Sequence, residues 1–130
     1  MGKYCVIVKA VILFAVLTAA VTSCTPPGGG GGGDKYPQIT ITHGAQDIIS
    51  GTTQIDFGGV EENTSSDAFE FTIQNTGGAD LSLTGLPLVQ ISGDDAAEFL
   101  LTQPGTGLLS PGASTTFGIT FTPHSTGSKT

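Results

Sequence analysis

Asp94, Asp95 and Glu98 are the best-placed hard-cation ligands in this 130-residue chain, because calcium needs several carboxylate oxygens converging on one point. The run lacks the D-x-D-x-D-G spacing of a dedicated calcium loop, so the three stand as candidates and the expected metal content is none. Nucleophilic catalysis would need a serine, a histidine and an acid in fixed order. No serine lies in a G-x-S-x-G elbow, and both histidines flank turn residues, His43 before Gly44 and His124 after Pro123. Neither histidine has a partner at helical or hairpin spacing, so metal ligation by them is not expected either. The glycine run Gly28 to Gly33 could cradle phosphate only if a Lys-Ser or Lys-Thr pair opened a helix after it, but Asp34-Lys35-Tyr36-Pro37 follows. The sequence therefore predicts no catalytic residues and no cofactor.

The remaining reactive side chain is Cys24, and its position explains it. Lys3 and Lys9 give a positive start, and Ala10 to Val21 then runs without charge, interrupted only by Thr18. That stretch is shorter than the roughly 20 residues a spanning helix needs, and it ends in small residues rather than a basic stop-transfer cluster. It predicts a cleaved, helical export signal over residues 1–23. Val21-Thr22-Ser23-Cys24 resembles a bacterial lipobox, which implies lipid on the Cys24 sulfur and cleavage just before it. The mature chain then has no thiol pair, since Cys5 is removed and Cys24 is a thioether. Each buried acyl methylene contributes about 0.8 kcal/mol, so two or three chains hold a protein on a membrane without spanning it. Thr25, rather than Asp, follows the cysteine. Under the enterobacterial sorting rule this points to the outer membrane.

Residues 24–36, with Pro26, Pro27 and six glycines, read as a disordered linker spanning roughly 20 Å at about 5 to 6 Å times the square root of its length. From Cys24 onward two lysines, Lys35 and Lys129, stand against eleven carboxylates, and there is no arginine. Such a chain has no basic patch to release counterions from a phosphate backbone, which excludes nucleic acid, and it does not bind anionic lipid by charge. The membrane contact is left to acylated Cys24.

Residues 37–130 alternate apolar and polar side chains with period two, and no ten-residue stretch has a 3.6 period. Five strands are predicted from Ile39 and Ile41; Ile55 and Phe57; Phe69, Phe71 and Ile73; Leu81 and Leu83; and Phe117, Ile119 and Phe121. Thr72, Gln74, Thr116, Thr120 and Thr122 fall on the wetter faces. Asn75-Thr76-Gly77-Gly78 and Ser110-Pro111-Gly112 supply turn chemistry, and short strands at this spacing make an all-β sandwich. Asn63-Thr64-Ser65 fits a glycosylation sequon but reads here as ordinary turn composition.

These residues also carry a family resemblance. Ile55-Asp56-Phe57-Gly58-Gly59-Val60, Phe71 to Gly77, Ile91-Ser92-Gly93 with Glu98-Phe99, Leu109 to Gly112, and Phe117 to Pro123 with Gly127 occur in an order that resembles the choice-of-anchor D domain. That family is a bacterial relative of the Hydin-type and major-sperm-protein-like immunoglobulin folds. The resemblance implies an immunoglobulin-like sandwich over residues 37–130, with Asp94-Asp95 in a turn before the strand that buries Phe99. Members usually continue past the position of Gly127 into a further apolar strand, so the domain is expected to lack its last strand, either as a fragment or through a truncated reading frame. Members are not enzymes and often occur in tandem. The resemblance therefore implies a surface module binding protein or glycan, beside neighbouring immunoglobulin-like domains or self-associated through an exposed strand edge. The alternative is an accessory domain of a longer exported enzyme.

Overall fold

A computed structural model describes residues 7–8, 36–50, 52–127 and 129. Among the described residues nine strands follow in order: β1 (Ile7–Val8), β2 (Ile39–His43), β3 (Gln46–Asp47), β4 (Ile55–Asp56), β5 (Phe69–Asn75), β6 (Leu81–Ser82), β7 (Phe99–Thr102), β8 (Leu108–Leu109) and β9 (Ser114–Phe121). A 3-10 turn, Ala96–Glu98, is the one helical element among the described residues. The architecture is an immunoglobulin-like β-sandwich.

One layer is a five-stranded antiparallel sheet ordered β3-β2-β5-β9-β7. Its centre is the pair β5 and β9, the two longest strands, in a register that puts Phe71 opposite Phe117 and Phe69 opposite Ile119. With one side-chain face per alternate residue, Phe71, Ile73, Phe117, Ile119 and Phe121 all turn inward and are buried. The opposite face carries Thr40, Thr42, Thr72, Gln74, Thr116 and Thr120, none of them buried. The facing layer consists of short pieces, the β6–β8 pair and β4, and contributes Leu81, Leu109, Val89, Ile55 and Phe57 to the same core.

Aromatic contacts knit the two layers together. Phe57 of the facing layer meets Phe69 at 4.4 Å and Phe99 at 5.7 Å between ring centroids, and within the sheet Phe99 stacks on its β9 partner Phe121 at 4.8 Å. Offset and edge-on pairs of this kind add about 0.5 to 1.5 kcal/mol each beyond their burial. Gln103 closes the β7 side by a different device. Its amide nitrogen donates to the Val89 carbonyl at 2.8 Å and its amide oxygen accepts from the Val89 N–H at 3.0 Å, so a side chain stands in for a strand neighbour.

The five predicted strands are present, although Phe57 and Leu83 fall just beyond the ends of β4 and β6, β3 and β8 are additional, and Phe99, expected to be buried, is partly buried. Three further differences concern placement. Ile39, expected inside with Ile41, is 38% exposed because it opens β2 at the end of the sheet. Asn75, expected in a turn, is the last residue of β5 and is fully buried. Ile7–Val8, expected in a helical leader, are extended and pair antiparallel with Ile55–Asp56, as β-branched residues favour. The rest of the leader and linker residues 24–35 lie outside the described residues, whereas Tyr36, expected in the disordered linker, is held by the Gly78 N–H donating to its carbonyl at 3.0 Å.

Candidate functional site

The segment Gly93 to Phe99 is a corner built by local geometry. Gly93 has φ 138°, a conformation that costs a glycine little, and the chain then folds back through Ala96 N–H to Gly93 O (3.3 Å) and Glu98 N–H to Asp95 O (2.9 Å). The corner is fastened to the segment after β9 by the Thr122 N–H donating to Glu98 O at 2.8 Å. Asp94 is exposed, whereas Asp95 and Glu98 turn toward the C-terminal segment.

What they face there is Lys129. Its Nζ lies 3.0 Å from Glu98 Oε1 and 3.7 Å from Asp95 Oδ1, and it donates to Ser125 Oγ at 2.6 Å. Lys129 is only 6% exposed, so the ammonium fills the position that a metal would take between these two carboxylates. Glu98 Oε2 is buried without a partner. Among the described residues no group of three or more His, Cys, Asp or Glu side chains is arranged to hold a metal ion. Of the three calcium candidates, the fold brings Asp95 and Glu98 together around an internal cation and leaves Asp94 outside.

The hydrogen bond to Glu98 holds the Lys129 ammonium above its ordinary pKa; desolvation opposes this, and the charges of Glu98 and Asp95 reinforce it. A raised folded-state pKa means a contribution fully present below the ordinary lysine value and lost as pH rises through the raised one. Lys129→Met is therefore expected to lower the melting temperature at pH 7, and the difference from wild type should shrink above about pH 10.4, the ordinary lysine value. Thermal melts of both proteins across that range check it, and a pH-independent difference would assign the effect to packing alone.

The histidines and serines are held apart in other roles. His43 stacks on Phe69 at 5.3 Å and lies 5.0 Å from Phe71, with Nδ1 donating to Glu70 O at 2.8 Å. His124 Nδ1 donates to Thr122 O at 3.1 Å. Ser65 bonds to Thr122 Oγ1, Ser66 to the Asp67 carbonyl and the Phe121 N–H, and Ser125 to Lys129. None of these hydroxyl contacts is to an imidazole. Cys24 lies outside the described residues. Among the described residues no helix is long and apolar enough to cross a membrane.

The polar centre that sequence reasoning missed is Asn75. Its Oδ1 accepts from Gly77 N–H (3.0 Å) and Gln38 N–H (3.3 Å), and its Nδ2 donates to Ala79 O (2.7 Å) and Leu109 O (2.9 Å). One side chain thus joins the approach to β2, the turn after β5 and strand β8 of the other layer. The signal was present as Asn75-Thr76-Gly77, but only the pairing of distant strands shows that the amide points inward.

The order of these elements, with strand β5 ending at a buried Asn before a glycine turn and the Ser110-Pro111-Gly112 turn leading into β9, agrees with a match over residues 48–130 to the family described as HYDIN/CFA65/VesB-like, Ig-like domain. The chain belongs to that family. The match covers more than half of the chain and takes in every strand from β4 to β9. No curated protein and no solved structure matches the chain.

Proposed function

We propose that this chain is a lipid-anchored, non-catalytic surface module, an immunoglobulin-like domain of the choice-of-anchor D kind held at a membrane by acylated Cys24. The observation that carries the reading is the register of Val21-Thr22-Ser23-Cys24 with the end of the apolar leader and with the glycine spacer that follows. Membership of an immunoglobulin-like family, whose domains are typically non-catalytic, supports the absence of an active site. The open, threonine-rich face of the five-stranded sheet and the loops at its ends are the surfaces available to a protein or glycan.

Intact mass and detergent partitioning of the exported protein test the anchor. The expected product begins at Cys24 and carries diacylglycerol, and Cys24→Ala abolishes membrane retention while leaving the thermal transition of the domain unchanged. A soluble exported product with a free thiol at Cys24 would overturn the reading.

A further inference from the structure

We propose that Asn63 is a glycan acceptor: its side-chain amide takes an oligosaccharide from a lipid-pyrophosphate donor. The sequence contains two asparagines, and the fold treats them oppositely. Asn75 is buried and all its amide groups are engaged. Asn63 is exposed, and its side chain enters no hydrogen bond among the described residues.

The acceptor pattern is complete around it. Asn63-Thr64-Ser65 supplies the amide and the hydroxyl two positions on, and Glu61 supplies a carboxylate two positions before, the extended form read by bacterial oligosaccharyltransferases. The structure puts this pattern at the apex of a reverse turn. Thr64 N–H and Thr64 Oγ1 both donate to the Glu61 carbonyl, at 3.0 and 2.7 Å, and Asn63 has φ 62°, a conformation asparagine tolerates better than most residues. Residues 61 to 65 are all exposed. They lie in the strand-free segment between β4 and β5, so an enzyme can lift the turn without breaking a sheet ladder.

Among the described residues this segment is anchored to the region of β9 by the Asn63 N–H to Pro123 O at 2.7 Å, the Ser65 to Thr122 hydroxyl contact at 2.8 Å, the Ser66 N–H to Phe121 O at 2.8 Å and the Phe121 N–H to Ser66 Oγ at 3.0 Å. Beside the turn runs an open groove of about 480 Å³ whose lining includes Glu61, Thr64, Ser65 and Asp67. Its carboxylates and hydroxyls suit the hydroxyl groups of the sugars nearest the linkage. In the transfer, Asn63 Nδ2 bonds to C1 of the first sugar as the C1–O bond to pyrophosphate breaks. The lipid pyrophosphate leaves with the bonding pair, and the amide proton passes to a base of the transferase.

The test is transfer in vitro to the folded full-length chain, using a bacterial oligosaccharyltransferase and its lipid-linked oligosaccharide, followed by mass spectrometry of fragments containing Asn63. It does not depend on lipidation of Cys24. Wild type should gain one glycan mass at Asn63. Asn63→Gly, which keeps the positive φ, and Ser65→Ala should gain none, while Ser65→Thr should remain modified. Glu61→Gln should lose modification by an enzyme that reads the acidic residue. An unmodified wild-type chain beside a fully modified control acceptor, or a gain that persists in Asn63→Gly, would overturn the proposal.

Discussion

Gly77→Ala is expected to remove about 4 kcal/mol of stability. A Cβ at this position would overlap the Tyr36 carbonyl oxygen and the Gln38 amide nitrogen and stand 2.8 Å from the Pro37 carbonyl carbon. All three obstacles are backbone, so none can swing away like a side chain. The first residues of the domain must instead move off the turn that follows β5. That movement breaks Gly78 N–H to Tyr36 O (3.0 Å) and Thr76 N–H to Gln38 O (2.9 Å), and it disturbs the Asn75 contacts to Gln38 and Gly77. Overpacking costs about 1 to 3 kcal/mol and each lost hydrogen bond about 1, so the sum is ~4 kcal/mol against a typical domain stability of about 5 to 15. Urea titration should place the midpoint far below that of wild type. Gly105→Ala is the control, because nothing lies within 4 Å of a Cβ there. Its midpoint should stay close to that of wild type. Equal, small effects at both positions would show that the start of β2 does not press on this turn.

Replacing Asn75 is expected to be nearly as damaging, for an electrostatic reason. Asn75→Ala removes the side-chain partner of the Ala79 and Leu109 carbonyls and of the Gly77 N–H. At about 1 to 3 kcal/mol for each buried group left unsatisfied, the loss is at least ~3 kcal/mol. Asn75→Asp separates charge from shape. The carboxylate keeps both acceptor contacts but presents negative oxygen to two carbonyls that the native amide served as a donor. Ionisation is therefore disfavoured in the folded state, and the folded pKa of this aspartate stands above the unfolded value of about 3.9. The variant binds the proton more tightly when folded, so its deficit relative to wild type grows as pH rises above about 3.9 and levels off above the folded pKa. Paired urea titrations at pH 4 and pH 7 read this directly. A deficit independent of pH would mean that the side chain is not held between those carbonyls.

The strand pattern was legible because alternation is local. Phe69, Phe71 and Ile73, and Phe117, Ile119 and Phe121, are two residues apart, and a pleated strand must put each set on one face. The calcium candidates were legible only as a cluster. Asp95 and Glu98 are three residues apart and do meet, yet the group that defines their environment is Lys129, about thirty residues later, which the sequence presents as one more surface cation. Asn63 and Asn75 show the same limit from the other side. Both sit in turn-like composition, which predicts a turn at each. One is exposed at an apex and the other is buried at the junction of three segments.

By itself, then, the sequence determined the all-β class, the positions of the main core strands and the lack of any motif for catalysis. Hydrophobic period, turn residues and motif spacing are properties of neighbouring positions and survive without three-dimensional information. The tertiary structure alone decided the strand order β3-β2-β5-β9-β7, the lysine between Asp95 and Glu98, and the inward Asn75 amide. Each depends on which strands pair across tens of residues. That choice is made by the burial of whole faces and by the requirement that every buried polar group find a partner.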